Sequence, residues 1–235
     1  MGKSSRIAAI AAGVFLSAVL SSSQLWSFQQ GHQATEHHAV QAGPSADEAL
    51  KQLLDSNQHC VTGKLVQHDI VTRRSELVKG QHPSAVVLSC SDSRVPPELI
   101  FDQGLGDIFV VRVAGNVVDA VTLGSIEYAV EHLNTPLIIV MGHDKCGAVS
   151  AAVQGGAPEG NIGSIVAKIA PSVNKAKAAG KKGDDLLDAA IIENVRSVTA
   201  NLTKDSAIIK HLVEEKKVKI VPAKYNLVSG KVELL

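Results

Sequence analysis

Short apolar runs alternate with helix-like stretches along most of the chain, and this alternation constrains the fold more than any other feature. Residues 85–88 form a continuous apolar run, which is typical of a strand buried on both faces. Residues 108–113 and 137–141 have the same character, and residues 218–221 predict a fourth strand. Strands that alternate with helices predict a parallel sheet covered by helices on both faces.

The stretches between these runs have helical spacing. Apolar residues from Ala49 to Leu54 lie on one side of a predicted helix, for which Ser45 or Asp47 is the expected N-cap. Further helices are predicted over residues 123–133, 147–153 and 185–202, and one is predicted to start at Pro96-Pro97. The fold class is therefore α/β, with a mainly parallel sheet flanked by helices and an N-terminal helical arm.

Two other segments are predicted to be irregular or to lie at the sheet edge. Residues 155–163 are rich in glycine and predict an internal loop. Residues 225–235 contain Ser229-Gly230 as a turn and predict a C-terminal hairpin or edge strand.

The first residues have the pattern of an export signal. Lys3 and Arg6 precede an apolar run over residues 7–20, and small residues follow it. As a helix this run would span about 21 Å, which is short of the hydrocarbon core of about 30 Å. We expect a cleaved signal peptide over residues 1–23 and a periplasmic or secreted protein without stable membrane insertion. An uncleaved leader that anchors the chain and a buried helix are the alternatives.

The remaining sequence divides into an arm and one domain. Residues 24–45 predict a disordered linker, and residues 46–235 predict a single catalytic domain. Lysine plus arginine and aspartate plus glutamate both number 23, so the basic surplus expected of a nucleic-acid-binding protein is absent. The 3 cysteines are too few for a disulfide framework, and Cys60 is expected to be a packed free thiol.

Chemistry-bearing residues follow two of the predicted strands directly. Cys90, Asp92 and Arg94 come after the first strand, and His143 and Cys146 come after the third. Because ligands bind beyond the carboxyl ends of strands in open α/β sheets, the two segments form one site if the strands are neighbours. Two thiolates and one imidazole are a ligand set that leaves the fourth position of tetrahedral zinc open.

The local spacing adds two expectations about these ligands. His143 and Cys146 are three residues apart, which places both side chains on one face of a first helical turn. A helix N-terminus there would favour the thiolate form of Cys146.

Charge counting leaves two roles open for Asp92. If Asp92 also binds the zinc, two thiolates and a carboxylate leave the site with a net charge of −1. If Arg94 instead holds Asp92 in a bidentate pair, the fourth position is available to water. A hydroxide formed there would be a nucleophile near neutral pH, and the ionised Asp92 would accept a hydrogen bond from it and orient it.

In combination, these two motifs resemble those of the β-class carbonic anhydrases, and the likeness covers most of residues 48–235. The resemblance implies that Cys90, His143 and Cys146 bind one Zn²⁺ per subunit, with Asp92 joining them only in a closed state. It also implies that Asp92 and Arg94 form a catalytic dyad. The implied reaction is attack of zinc-bound hydroxide on CO₂, which gives bicarbonate and a proton.

Four more residues match substrate-pocket positions of that family. Gln81 matches the glutamine that binds substrate in the plant-type subtype, whose zinc site is open, and Gly147 matches a glycine near the bicarbonate site. Phe109 and Tyr128 match aromatic residues that the partner subunit contributes, so the resemblance implies a homodimer or a higher homo-oligomer.

Two alternative functions remain open at this point. A CS₂ or COS hydrolase would share the fold and the motifs. A non-catalytic zinc-binding protein would keep Asp92 permanently on the metal.

Overall fold

The computed structural model of the chain describes residues 43–156 and 158–235. The predicted signal peptide over residues 1–23 and almost all of the predicted linker lie outside the described residues. No helix within the described ranges is long and apolar enough to cross a membrane.

The described residues form one five-stranded sheet in the order β2-β1-β3-β4-β5. β1 pairs in parallel with β2 and β3, and β3 pairs in parallel with β4, whereas β5 is antiparallel to β4. This confirms the predicted mainly parallel sheet with a C-terminal edge strand. The strands are β1 (Ala85–Ser89), β2 (Ile108–Arg112), β3 (Leu137–His143), β4 (Lys219–Tyr225) and β5 (Val232–Leu234).

Eight α-helices flank this sheet in the described part of the chain. They are α1 (Ala46–Thr62), α2 (Ile70–Glu76), α3 (Pro97–Ile100), α4 (Ala120–His132), α5 (Gly147–Gln154), α6 (Ile162–Ala178), α7 (Gly183–Asp205) and α8 (Ala207–Glu214). Short 3₁₀ turns lie at Leu77–Lys79 and Ala114–Asn116. The arm helix α1 begins at a capping box in which Ser45 and Glu48 bond to each other's backbone amides, and it ends at Gly63 with φ of 67°.

Apolar side chains cover both faces of the sheet, as the continuous apolar runs predict. One face packs against α1, α5 and α6, and the other packs against α4 and α8. Helix α7 contributes to both clusters. Every residue of β1 and β3 is buried, so these two central strands form the rigid support for whatever follows them in the chain.

The structure also differs from the sequence prediction in places. The loop predicted over residues 155–163 is shorter, because α6 begins at Ile162. The helices α2, α6 and α8 were not predicted. The 3 cysteines, all within the described residues, are free thiols, and Cys60 is half-buried on α1.

Candidate metal centre

The carboxyl end of β1 turns immediately into Cys90, whose side chain is buried. Its sulfur accepts a hydrogen bond of 3.2 Å from the backbone amide of Gly115. Arg112, the last residue of β2, fixes the backbone of the same segment by donating to the carbonyls of Cys90 (3.0 Å) and Asp92 (2.6 Å). The position of Cys90 is therefore set by groups from the neighbouring strand and the turn that follows it.

The other half of the site follows β3. His143 is the last residue of that strand, and Cys146 is the N-cap of α5. The prediction that both lie on one helical turn is wrong, because a two-residue turn separates strand from helix. Lys145 adopts a left-handed backbone conformation there, with φ of 52°, and this reversal directs both side chains to the same point.

The two halves meet because β1 and β3 are neighbours in the sheet. The ligand atoms of Cys90, His143 and Cys146 all lie within 4.8 Å of one another, and all three residues are buried. The two sulfurs are 4.0 Å apart. Tetrahedral zinc with Zn–S bonds of about 2.3 Å separates two sulfur ligands by about 3.8 Å, so the spacing fits that ion.

The histidine ring is prepared for the same role. Nδ1 of His143 donates to the backbone carbonyl of Asp144 at 2.8 Å, because a carbonyl can only accept. A neutral ring then presents a lone pair at Nε2, which is buried and has no hydrogen-bond partner among the described residues. A buried acceptor beside two thiols is a ligand oriented toward a metal.

The two thiols differ in acidity. The hydrogen bond with Cys146 lowers the pKa of Cys90 to about 4 despite the opposing effect of burial, and the Gly115 amide favours the same thiolate. The hydrogen bond to Cys90, together with burial, raises the pKa of Cys146. The backbone amides of Ala148 and Val149, in the first turn of α5, favour a Cys146 thiolate as predicted, but the neighbouring Cys90 and burial outweigh them.

Asp92 and Arg94 form a bidentate pair beside the cluster. Nε and Nη2 of Arg94 donate to the two oxygens of Asp92 at 2.9 and 2.7 Å, and the Arg94 amide adds a third bond of 3.0 Å. These hydrogen bonds hold the pKa of Asp92 well below its usual range. Oδ2 of Asp92 lies 3.9 Å from Nε2 of His143, yet Asp92 is not a member of the ligand cluster.

The predicted substrate residues lie at different places in the chain. Gly147 follows Cys146 directly, and a Cβ added there would meet nothing within 4 Å. Gln81 is exposed in the loop before β1. Phe109 and Tyr128 contact each other, with ring centroids 6.4 Å apart, but they belong to the face covered by α4.

The register of the sheet places Phe109 away from the cluster in its own chain, and Tyr128 on α4 lies against Phe109. Phe109 is paired with Val86, whereas Arg112 is paired with Ser89 at the end of β1. At about 3.3 Å per residue, Phe109 lies about 10 Å from the metal-binding edge along the strand. It also packs on the opposite face from Cys90 and Cys146.

Three supporting residues were not identified from the sequence. Gly115 has φ of 70°, and a Cβ there would lie 2.7 Å from Ile169, so glycine is required where its amide meets Cys90. Asn194 on α7 donates to the Gly115 carbonyl at 2.8 Å and fixes that turn. Arg112 looks like an ordinary residue of an apolar strand. These residues contact the Cys90 segment and the Gly115 turn only in the folded chain, so no local sequence signal predicts the contacts.

Comparisons with known proteins agree with this geometry. The sequence model of the family described as carbonic anhydrase matches residues 85–232. A carbonic anhydrase of Mycolicibacterium smegmatis is 43% identical over 191 residues, which cover 79% of this chain and 91% of that protein. The solved structure of the Coccomyxa beta-carbonic anhydrase in complex with acetazolamide has a TM-score of 0.65 at 27% identity, covering 79% of this chain and 86% of that chain. Tetrameric beta-carbonic anhydrases from Sordaria macrospora include one with a TM-score of 0.65 at 25% identity, covering 79% of this chain and 96% of that chain.

Proposed function

The chain belongs to the β-class carbonic anhydrases, and we propose that it binds one Zn²⁺ per subunit and converts CO₂ and water reversibly to bicarbonate and a proton. Cys90, His143 and Cys146 would hold the ion. A zinc ion held by three protein ligands supplies the nucleophile, because it lowers the pKa of a coordinated water to about 7.

The protein supplies the orientation of that reaction. Arg94 keeps Asp92 ionised and turned toward the guanidinium, so the carboxylate does not compete for the fourth metal position. An ionised carboxylate can only accept, so Asp92 would accept a hydrogen bond from the nucleophile and would leave a lone pair of that oxygen directed at CO₂. The space around Gly147 leaves room for a small substrate beside the ligands.

The observation that carries this proposal is the combination of a three-ligand cluster with an adjacent carboxylate that is already paired. Stopped-flow measurement of CO₂ hydration by the zinc-loaded protein tests it. We expect turnover that depends on zinc. A zinc-replete protein that hydrolyses CS₂ or COS but does not hydrate CO₂ would favour the hydrolase, and one inactive toward all three substrates would favour the non-catalytic alternative.

We further propose that the active unit is at least a homodimer. The segment from Leu65 to Val78 supports this, because neither α2 nor the following 3₁₀ turn has a buried residue. Apolar side chains nevertheless recur along it, and the exposed ones are Leu65, Val66, Ile70, Val71 and Val78. An exposed apolar surface of this kind is typical of an association face. A second subunit would also bring Phe109 and Tyr128 to a site that they do not reach in their own chain.

We also propose that the chain is exported. Lys3, Arg6 and the apolar run of residues 7–20 support a cleaved signal, and they lie outside the described residues. N-terminal sequencing of protein recovered outside the cytoplasm should give a first residue between 24 and 35. An intact Met1 on cytoplasmic protein would contradict export.

A further inference from the structure

Lys224 bridges two carboxylates close to the metal centre. It lies on β4, opposite Gly142 of β3, and only 12% of its side chain is exposed. Its ammonium is 2.7 Å from Oδ1 of Asp188 on α7 and 3.1 Å from Oδ1 of Asp144 in the turn after β3. One cation therefore ties the metal-binding turn to a strand and a helix at once.

Asp144 is the residue through which this bridge reaches the metal ligands. Its carbonyl accepts the Nδ1 hydrogen of His143 at 2.8 Å, and its amide donates to the carbonyl of Tyr225 at 3.0 Å. The next carbonyl, that of Lys145, accepts a bond of 3.4 Å from Arg94. A shift of Asp144 would thus rotate the His143 ring and disturb the contact with Arg94.

The charges explain why Lys224 holds this turn firmly. Burial alone would lower the pKa of the Lys224 ammonium, but its hydrogen bonds to Asp188 and Asp144 raise that pKa, so the side chain stays charged. Without the cation, two carboxylates would face each other across a half-buried space and repel. Asp188 lies within a long helix, whereas Asp144 lies in the short turn that connects β3 to α5.

Building on the zinc centre proposed above, we propose that Lys224 is a positioning residue that fixes the carboxylate of Asp144 and, through the Asp144 carbonyl, directs Nε2 of His143 at the metal. Groups that hydrogen-bond a metal-ligating histidine directly typically contribute about 10- to 100-fold to metal affinity or activity, and Lys224 acts on such a group, Asp144, from one contact further out. In this role Lys224 orients the ligand His143 and does not touch the substrate.

Zinc release to a chelator, followed together with the unfolding midpoint of the metal-free protein, tests this role. We expect Lys224→Met to release zinc about tenfold faster than the unchanged protein, the lower end of the range for a direct partner of a ligating histidine. Lys224→Arg should restore most of the retention, because it keeps a cation between the two carboxylates. The matched control is Asp184→Asn. It removes an exposed carboxylate of α7 whose Oδ2 lies 3.4 Å from Nζ of Lys145, the residue that follows Asp144 in the turn, and it should leave zinc release unchanged.

A double-variant cycle separates positioning from general destabilisation. In an Asp144→Asn background, Lys224→Met should change zinc release by less than about threefold, since the two residues act through one contact. Additive effects would overturn the proposal, as would a Lys224→Met protein that retains zinc like the unchanged chain. If Lys224→Met does not fold, Asp144→Asn alone must release zinc faster than the Asp184→Asn control. If the unchanged protein binds no zinc, the proposed zinc centre itself fails.

Discussion

The metal centre and the face around Phe109 and Tyr128 are opposite kinds of region. At the metal centre all three ligands are buried, the Cys90 sulfur accepts a hydrogen bond from the Gly115 amide, and the His143 ring donates to the Asp144 carbonyl. On the other face, Phe109 is half-buried and Tyr128 is half-exposed, with Val121 still more open to solvent. The metal centre is complete within a single chain, whereas the face around Phe109 and Tyr128 is only partly covered by that chain and keeps apolar surface open to solvent.

This difference separates two properties that are usually measured together. Zinc binding should depend only on contacts within one chain and should survive separation of the subunits. Turnover should depend on association, if Phe109 and Tyr128 complete the pocket of a neighbour. We therefore expect metal content and activity to respond to different substitutions.

The largest expected effect is loss of the metal from the complete region. Cys146→Ala leaves two ligands, so zinc content should fall from about one ion per chain to near zero, and CO₂ hydration should disappear with it. Metal analysis and stopped-flow kinetics on the same sample measure both. A variant that keeps its zinc would show that Cys146 is not a ligand.

The next effect removes activity but not metal. Arg94→Ala frees Asp92 to compete for the fourth zinc position, and we expect turnover to fall by about 10² to 10⁴-fold with zinc retained. Asp92→Asn should also retain zinc and lose activity, because an amide is no longer an obligate acceptor. Near-native turnover in Arg94→Ala would refute the gating role assigned to the Asp92–Arg94 pair.

A smaller effect is expected from charges placed on the exposed segment. Val71→Asp combined with Val78→Asp should give a monomer, while each change alters the free energy of unfolding of the monomer by only about 0.5 kcal/mol, since both side chains are exposed. Light scattering measures the mass. The matched control is Val228→Asp, on the turn before β5, where the side chain is 97% exposed and association should persist. If the double variant associates as the control does, the segment from Leu65 to Val78 is not part of the interface.

The smallest effects compare packing in the two regions. A Cβ at Gly142, just before His143, would lie 2.5 Å from Cγ2 of Val195, so Gly142→Ala should lower the free energy of unfolding by about 1–3 kcal/mol. A Cβ at Gly124, inside α4, would meet nothing within 4 Å, so Gly124→Ala should raise the free energy of unfolding by about 0.5–1 kcal/mol. Chemical denaturation measures both, and equal effects of the two substitutions would contradict the packing difference.

The sequence predicts the central strands and the ligand set because both depend on local patterns. Continuous apolar runs mark β1 and β3, and ligands placed directly after two strands need only that the strands be neighbours. The terminal hairpin follows from its turn residues in the same way. What local patterns could not give was the turn at Lys145, because a left-handed lysine has no sequence signature.

The supporting contacts of the site were also beyond prediction, for a physical reason. Arg112, Asn194 and Lys224 are far from the ligands in the chain and act through single hydrogen bonds or ion pairs that exist only once the sheet order is set. Helix α6 was missed because Pro171 and a lysine-rich end obscure its periodicity. The roles of Gln81, Phe109, Tyr128 and Gly147 remain predictions that rest on resemblance.

The central claim is that one chain suffices for zinc but not for catalysis. The most direct test isolates the monomer of the Val71→Asp, Val78→Asp double variant by size and measures zinc per chain and CO₂ hydration per chain in that same fraction. The account predicts about one zinc per chain and activity at least about tenfold below that of the Val228→Asp control, corresponding to about 1.4 kcal/mol of lost transition-state stabilisation. A zinc-loaded monomer as active per chain as the control, or a monomer that has lost its zinc, would contradict it.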